Sequence, residues 1–290
     1  MEQERMEEKM YDPKKEYIAR QMISKGKTKE IWSTDDPDIV IVRSTKDITA
    51  GDGLMHDTFD KKAQYANETV CNVYEYLKEL GIPIAYIGRY DEAAFLAYAC
   101  DMVPTEWVGR RYGYGSWLKR NPGHELMEMF AEPVYEMYLK TTGRVYMGID
   151  LPCDDPFMQI QDDGAWLCQP KLPLNQQTAI LITDYPLKDD WGKLAECMRI
   201  LQATFLAVEK AWVNLGYKFV DLKIEIGITK DGRVVLADVI DNDSWRVLTQ
   251  EDKHLDKEVY RRKGSAALDE VEQLYGFVAQ LTGAFPAMAS

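Results

Sequence analysis

The 290-residue chain contains little histidine and cysteine, and it has no long apolar run. With only three histidines, neither a histidine-based triad nor a histidine-rich metal site is expected. The five cysteines are odd in number and widely spaced, without a Cys-x-x-Cys pair, so neither a disulfide framework nor a zinc cluster is expected. No segment approaches the roughly 18 apolar residues that span a bilayer. We therefore expect a soluble, cytoplasmic protein without a membrane partner.

Positive charge is also scarce, because 35 Lys and Arg face 48 Asp and Glu, for a net charge of −13. Proteins that bind nucleic acid through its phosphates present broad basic surfaces, so we expect no nucleic-acid partner. A local basic site for a small anion remains compatible with this balance. The charged N-terminus lacks the apolar region of a signal peptide, and residues 1–16 are expected to form a frayed or helical extension.

Apolar periodicity and turn residues predict a mixture of strands and helices. Strands come first, helices are interspersed, and strand and helix do not alternate regularly, so an α+β fold is expected rather than a doubly wound parallel sheet. The predicted elements are a hairpin at 27–43, strands at 84–90 and 93–103, and helices at 59–80, 191–215 and 266–281. A basic loop is expected at 106–120, and an irregular loop at 141–175.

An acidic hairpin in the C-terminal third carries the strongest chemical signal. Asp231-Gly232 between alternating apolar runs is typical of a tight two-residue turn. Counting outward from that turn places Glu225 directly opposite Asp238. Facing side chains of an antiparallel pair lie roughly 4.5–5.5 Å apart at Cβ, and like charges there destabilise the sheet. A cation between the two carboxylates is therefore expected.

Mg²⁺ accepts two carboxylates when it also keeps waters and holds substrate phosphates. Lys223 lies on the same face as Glu225 and adds a fixed cation, while Asp241, Asp243 and Arg246 crowd the same end. The alternative interpretation is a solvated acidic hairpin without a ligand. The crowding favours a site for a metal–nucleotide complex.

The segment Ser24–Lys29 contains the Gly-Lys-Thr that ends a P-loop motif, but Gln21 stands where that motif requires glycine. We predict instead a glycine turn at Gly26, between strands, whose amides and lysines cover phosphates. Lys27 and Lys29 are two residues apart on a predicted strand and would point to one face. A solvated lysine pair remains the alternative.

A second basic segment, 110–120, places four cations and the Ser116 hydroxyl around two glycines. Arginine grips phosphate oxygens bidentately, glycine lets backbone amides approach, and serine donates a further hydrogen bond. Arg246 and Arg261 would complete a phosphate clamp around Arg110 from the other side. The alternative is a surface loop that neutralises neighbouring acids.

Six motifs occur in one order along most of the chain. They are Gly-Lys-Thr-Lys-Glu-Ile-Trp at 26–32, Asp-Ile-Thr-Ala-Gly-Asp-Gly at 47–53, Asp-Met-Val-Pro-Thr-Glu-Trp-Val at 101–108, Leu-Lys-Arg-Asn-Pro-Gly at 118–123, Asp-Leu-Lys-Ile-Glu-Ile-Gly at 221–227 and Leu-Ala-Asp-Val-Ile-Asp-Asn-Asp-Ser-Trp-Arg at 236–246. In this order they resemble the SAICAR synthetase family, the purine-pathway ligases. The resemblance implies an N-terminal β-rich lobe at 1–102 and a larger α+β lobe at 103–290, with ATP in the cleft between them.

The resemblance also implies a role for individual residues. The ATP-binding residues would be Lys27, Thr28, Lys29, Cys100, Met102, Glu225 and Asp238, with Glu225 and Asp238 also holding Mg²⁺. The substrate-binding residues would be Asp52, Arg110, Ser116, Lys140 and Arg246. The catalytic residues would be Lys223, Arg261 and Asp155, with Lys223 and Arg261 near the reacting carboxylate and the aspartate.

The implied reaction joins L-aspartate to the carboxylate of a phosphoribosyl-aminoimidazole (CAIR) through an acyl phosphate, giving SAICAR in de novo purine biosynthesis. Its cofactors are ATP and Mg²⁺, its partners are small molecules, and homo-oligomerisation stays open. Asp155-Pro156 stands where the family often has His-Asp-Pro, so a related ligase with another amine or carboxylate is an alternative. A small-molecule kinase and a non-catalytic nucleotide-binding module are the others.

Overall fold

The computed structural model describes residue 12 and residues 15–289, apart from the side chain of Asp52. The predicted extension at 1–16 lies largely outside this part of the chain, and so does the role predicted for the Asp52 side chain. Among the helices of the described residues, none is both long and apolar enough to cross a bilayer.

The N-terminal part of the chain forms a small antiparallel sheet. The first seven strands of the described residues are β1 (Met22–Lys25), β2 (Lys29–Ser33), β3 (Ile39–Ser44), β4 (Asp47–Ala50), β5 (Met55–Thr58), β6 (Tyr86–Asp91) and β7 (Ala94–Tyr98). Five of them make one sheet in the order β1-β2-β3-β7-β6, while β4 and β5 form a separate two-stranded ladder. The pairing of β2 with β3 confirms the hairpin predicted at 27–43.

The rest of the chain builds a larger antiparallel sheet of eight strands. The remaining strands are β8 (Cys100–Tyr112), β9 (Met129–Leu139), β10 (Val145–Tyr146), β11 (Ile149–Asp150), β12 (Phe157–Gln161), β13 (Gly164–Cys168), β14 (Ile180–Ile182), β15 (Lys218–Thr229), β16 (Val234–Leu236) and β17 (Trp245–Leu248). The order is β14-β13-β12-β9-β8-β15-β16, and β17 also pairs with β15. Strands β10 and β11 pair only with each other.

Helices cover these sheets and join them. They are α1 (Lys62–Glu79), α2 (Gly115–Arg120), α3 (Trp191–Asn214), α4 (Glu258–Lys263) and α5 (Leu268–Thr282). Short 3-10 turns occur at Gly51–Gly53, Leu174–Gln176, Gly264–Ala267 and Pro286–Met288. The helices predicted at 59–80, 191–215 and 266–281 correspond to α1, α3 and α5, and the α+β class is confirmed.

Helix α3 packs on one face of the large sheet. The approach is close at Gly109 of β8, where an added Cβ would lie 2.5 Å from the ring of Phe205. Trp107 on the same strand is 1% exposed and belongs to the core that includes Phe205. Because side chains alternate along a strand, Glu106, Val108 and Arg110 point to the opposite face of the sheet.

Two predicted loops are wrong. Residues 106–112 continue β8 and 115–120 form α2, so the basic loop predicted at 106–120 does not exist. The irregular loop predicted at 141–175 contains the hairpin of β12 and β13, which belongs to the large sheet. Charged residues on one face of β8 mask its strand pattern, since a buried charged face looks like a solvated loop in the sequence.

The turn of the acidic hairpin also differs from the prediction. Its loop has three residues, because the Gly232 amide donates to the Thr229 oxygen at 2.8 Å and Thr229 pairs with Arg233. Gly232 takes a φ of 87°, which suits a three-residue loop that ends in a left-handed glycine. The register therefore shifts by one residue, and Ile226 rather than Gly227 lies opposite Leu236. Glu225 does not lie directly opposite Asp238.

The boundary predicted between lobes 1–102 and 103–290 falls inside β8. The main hydrophobic core contains residues from both sides of it, such as Phe95 and Ile224. The Asn72 side chain of α1 donates to the Ala279 oxygen of α5 at 3.1 Å, which also ties the two parts together. The lobe division remains a prediction.

Candidate active site

Charged side chains occupy the face of the large sheet that lies opposite α3. They are Glu106 and Arg110 on β8, Glu136 on β9, and Asp221, Lys223 and Glu225 on β15. The residues between them on β15, such as Leu222 and Ile224, are buried in the core. The two-residue spacing in the sequence thus becomes a polar wall on one face and a hydrophobic core on the other.

A cavity of about 310 Å³ lies against this polar wall. That volume is within the range of roughly 300–1,000 Å³ that is usual for small-molecule sites. Six of the residues predicted to bind substrate or act in catalysis line it: Arg110, Ser116, Asp155, Lys223, Arg246 and Arg261. These residues come from strands, helices and a loop that are far apart in the sequence, and the fold brings them to one place.

Arg110 is held in a buried network and is only 4% exposed. Its Nε donates to Glu136 Oε2 at 2.6 Å and its Nη1 donates to Asp221 Oδ2 at 2.5 Å. Its Nη2 donates to Ser116 Oγ at 3.2 Å, on the side that borders the cavity. Burial alone lowers the pKa of Arg110, but the adjacent carboxylates of Asp221 and Glu136 outweigh burial and raise it.

Arg246 enters the same wall from β17. Its Nη1 donates to Asp221 Oδ2 at 2.6 Å, and its guanidinium lies 4.7 Å from the ring centroid of Tyr114. Gly115, with a φ of 58°, leaves room on the other side, since an added Cβ would sit 3.4 Å from the guanidinium nitrogens. The guanidinium is therefore fixed between an aromatic ring, a backbone turn and a carboxylate, beside Ser116 and Arg110.

A cluster of lysines and carboxylates adjoins the cavity at Lys223. The Lys223 ammonium contacts Glu225 at 2.8 Å, Glu106 at 3.2 Å and Asp238 at 3.7 Å. Glu225 and Asp238 therefore converge on one ammonium, even though they do not face each other in the ladder. Asp238 reaches it because the chain leaves β16 after Leu236, where the alternation of faces ends.

Two more predicted residues complete this cluster, as Lys29 contacts Asp238 and Lys140 contacts Glu225. Burial lowers the pKa of Lys29 to about 8, despite the attraction of Glu225. Burial raises the pKa of Glu225, but Lys223 and Lys140 outweigh burial and bring it to about 2. Glu225 is thus ionised at neutral pH, ready to hold a cation.

The glycine turn predicted at Gly26 is present between β1 and β2. The Gly26 amide donates to the Lys29 oxygen at 2.8 Å, which closes the turn. Lys27 and Thr28 lie in the turn, so the prediction that Lys27 and Lys29 share a strand face is wrong. Lys27 is exposed, whereas Lys29 begins β2 and points to Asp238.

Cys100 and Met102 lie at the start of β8, just after the chain leaves β7 of the small sheet. Met102 is 44% exposed, and Cys100 is partly buried. Gly227 of β15 faces them across the ladder, and an added Cβ there would meet Cys100 Cβ at 2.6 Å. Cys100 and Met102 therefore lie where the two sheets join, and their predicted contact with ATP remains a prediction.

Asp155 and Arg261 border the cavity from a loop and from α4. The Asp155 carboxylate accepts a hydrogen bond from the Thr141 amide at 2.7 Å, and burial raises its pKa. Arg261 Nη1 donates to Glu258 Oε2 at 3.1 Å. The structure brings both residues to the predicted site, while their catalytic roles remain predictions.

Several polar residues of the site are not among the predicted ones. Glu136 and Tyr138 on β9 contact Arg110, and their i, i+2 spacing on a strand was the available signal. Lys62 is 1% exposed, and with Lys257 it lies near Asp243, another residue of the cavity wall. A lysine at the start of an amphipathic helix gives no local sign that it is buried.

The chain is similar to known proteins in both sequence and fold. The family model described as SAICAR synthetase matches residues 22–144 and 175–275. The probable multifunctional protein ADE2 of Caenorhabditis elegans is 35% identical over 244 residues, which is 83% of this chain and 52% of that protein. The chain thus spans about half the length of that relative.

Two further proteins match nearly end to end. The phosphoribosylaminoimidazole-succinocarboxamide synthase of Chloroflexus aurantiacus is 33% identical over 268 residues, covering 90% of this chain and 96% of that protein. A solved structure of a SAICAR synthetase in complex with ADP shares the fold, with a TM-score of 0.68 and 24% identity over 89% of this chain and 96% of that chain. From the ordered motifs, the site geometry and these matches, the chain belongs to the SAICAR synthetase family.

Proposed function

We propose that the chain is an ATP-dependent ligase that joins L-aspartate to the carboxylate of CAIR and forms SAICAR in de novo purine biosynthesis. One observation carries this proposal: Arg110, Ser116 and Arg246 line the same cavity as Lys223, which also belongs to the lysine–carboxylate cluster. An anion-binding wall and a site for a metal–nucleotide complex thus adjoin at one ammonium. The synthase names of relatives favour a ligase over a small-molecule kinase.

The nucleotide would lie between the small sheet and the large sheet, with Lys29 at its phosphates and Cys100 and Met102 at its base. ADP in the related SAICAR synthetase structure supports this part of the proposal. Phosphate oxygens would take the place of carboxylates as partners of Lys29 and Lys140. The lowered pKa of Lys29, about 8, still leaves it mostly protonated at neutral pH.

The residues present fit Mg²⁺. Glu225 and Asp238 offer ionisable oxygen donors close to one another, and Glu225 has a pKa of about 2. Among the described residues no group of three or more His, Cys, Asp or Glu has the geometry to hold a metal, so an ion bound here would keep waters and phosphate oxygens as ligands. When bound, Mg²⁺ would neutralise charge on the transferring phosphoryl group.

In the proposed chemistry, a carboxylate oxygen of CAIR attacks the γ-phosphorus of ATP and ADP leaves. The aspartate amine then attacks the carbonyl carbon of the acyl phosphate, phosphate leaves, and the amide forms. Lys223 is suited to neutralise charge at the carboxylate, because Glu106 and Glu225 outweigh burial and raise its pKa. The other residues mainly hold ATP, CAIR and L-aspartate in place. This accelerates the reaction by orienting the reactants and by preorganising charge around them.

Asp155 and Arg261 are proposed to receive the amino acid. Arg261 supplies a cation for a carboxylate of L-aspartate, and the Asp155 carboxylate supplies an acceptor for its amine. Both border the cavity. A cytoplasmic location is part of the proposal and is supported by the five free cysteines.

One assay tests the proposal. The protein is incubated with ATP, Mg²⁺, CAIR and L-aspartate, and ADP is followed with each component omitted in turn. A ligase forms ADP steadily only when both co-substrates are present. Steady ADP formation without aspartate, together with a stable phosphorylated product, would indicate a kinase instead. The absence of turnover would contradict both the ligase and the kinase function.

A further inference from the structure

Asp221 occupies the centre of a row of three residues that crosses three neighbouring strands. In the ladder of β15 with β8 it lies directly opposite Arg110, and in the ladder of β15 with β17 it lies directly opposite Arg246. Directly opposed residues of antiparallel strands project to the same face, with Cβ atoms roughly 4.5–5.5 Å apart. The backbone register alone therefore places a carboxylate between two guanidiniums.

The side chains use this placement fully. Asp221 Oδ2 accepts from Arg110 Nη1 at 2.5 Å and from Arg246 Nη1 at 2.6 Å. Asp221 is 3% exposed, so solvent competes little for these hydrogen bonds. Asp221 Oδ2 thus fixes the separation of Arg110 and Arg246, which both border the cavity.

The other partners of the two arginines cannot set this separation. Glu136 binds Arg110 from β9 and makes no contact with Arg246 among the described hydrogen bonds and ion pairs. Glu258 lies 3.6 Å from Arg246 Nε and belongs to α4. Without Asp221, two like charges would face each other across β15 with no common anchor.

We propose that Asp221 is a positioning residue that sets the spacing of Arg110 and Arg246 for the phosphomonoester dianion of the substrate. The carboxylate would repel that dianion directly, so its contribution to binding acts through the arginines. Ser116 Oγ, bonded to Arg110, lies beside the pair as a further donor. This inference rests on the proposed function, in which the clamp receives the ribotide phosphate.

Asp221→Asn separates positioning from simple charge balance. If the carboxylate only offsets positive charge, its removal makes the wall more attractive to phosphate and lowers the KM for CAIR. If it sets the spacing, the KM for CAIR rises by about tenfold or more, because charge-assisted hydrogen bonds to both arginines are lost. The KM for ATP should stay within about twofold, and an unchanged or lowered KM for CAIR in a folded variant overturns the proposal.

Asp221→Glu provides a second, independent variant, and it decides the matter if Asp221→Asn does not fold. It keeps the charge and moves the carboxylate by one methylene, so positioning predicts a raised KM for CAIR while charge balance predicts no change. Glu209→Gln is the matched control. Glu209 binds Arg111 with Nε–Oε1 and Nη2–Oε2 distances of 2.5 and 2.8 Å, on the α3 side of β8. Its loss should leave both KM values unchanged.

Direct binding keeps this inference distinct from the proposed function. Calorimetry with ribose 5-phosphate measures the clamp without turnover, and the wild-type protein should bind about tenfold or more tightly than Asp221→Asn. If the wild-type protein binds this probe but does not form ADP, the proposed ligase function is contradicted while the phosphate clamp is supported. Equal binding by wild type and Asp221→Asn overturns the positioning role.

Discussion

At the scale of single residues, Glu225 shows how a buried carboxylate is kept ionised. Glu225 is 4% exposed, yet Lys223 and Lys140 hold its pKa at about 2. A carboxylate surrounded by ammonium groups can exchange them for a metal ion without changing its own protonation, and the released ammonium groups can then bind phosphates. This is the arrangement expected where a metal–nucleotide complex binds.

Glu225→Gln and Asp238→Asn should each lower Mg²⁺-dependent turnover at least about 100-fold while the protein stays folded, because each amide lacks the charge that holds the ion. The measurement is ADP formation across a Mg²⁺ titration, with circular dichroism as the check on folding. Asp231→Asn is the control, since Asp231 lies in the turn of the same hairpin and contacts Arg233. Near-normal turnover of either site variant would contradict the metal role.

Arg110→Ala should destabilise the protein, because it leaves the carboxylates of Glu136 and Asp221 buried without their shared cation. Removing one partner of a buried ion pair costs about 3–5 kcal/mol, to be measured as the change in the free energy of unfolding in urea. Ser116→Ala, which only shortens the clamp by one hydroxyl, should keep its stability and raise the KM for CAIR several-fold. An Arg110→Ala protein as stable as wild type would show that this network contributes little.

At the scale of single elements, β8 shows why a strand can look like a loop. Its outward residues include Glu106 and Arg110, whereas Trp107 and Gly109 face α3. Sequence patterns assign charged residues to solvent, but here they line a cavity. The strand was therefore missed beyond residue 103, although the residue types for anion binding within it were recognised.

Gly109→Ala should lower the free energy of unfolding by about 1–3 kcal/mol, because the added methyl group overlaps the Phe205 ring and pushes α3 from the sheet. The test is chemical unfolding monitored by tryptophan fluorescence. Gly88→Ala on β6 is the matched strand control, since its Cβ would meet no atom within 4 Å. It should change stability by less than about 1 kcal/mol. Equal stability of the two variants would contradict the close packing at Gly109.

At the scale of the whole molecule, a buried cluster ties α1 to the wall of the cavity. Lys62 of α1 lies 3.7 Å from Asp243, and Lys257 lies 3.3 Å from it, just before α4. The Tyr275 hydroxyl of α5 also donates to Asp243. Burial raises the pKa of Asp243, but Lys62 and Lys257 outweigh burial and lower it. Three helical regions thus meet at one carboxylate.

Lys62→Met should cost about 3–5 kcal/mol of stability, because Asp243 loses one of two cations inside the protein. Thermal and urea unfolding measure the loss. Lys61→Met changes the adjacent, exposed residue and should stay within about 0.5 kcal/mol of wild type. If Lys62→Met were as stable as Lys61→Met, the cluster would not join the two parts of the molecule.

The sequence by itself determined the α+β class, the three long helices and the family. These follow from local periodicity and from motifs whose order survives in the chain. It also identified Arg110, Ser116, Lys223 and Arg246, because their residue types suit anions and sit in short motifs. Such features need no knowledge of distant contacts.

Only the tertiary structure decided how these residues are paired. The hairpin register, shifted by one residue, depends on a three-residue loop, which the turn residues do not distinguish from a two-residue turn. The contacts of Asp221 with Arg110 and Arg246 require β8 and β17 to flank β15. The pairing of β15 with β8 joins residues that are more than a hundred positions apart in the sequence. Burial and ion pairing are non-local, so they appear only once the sheets are assembled.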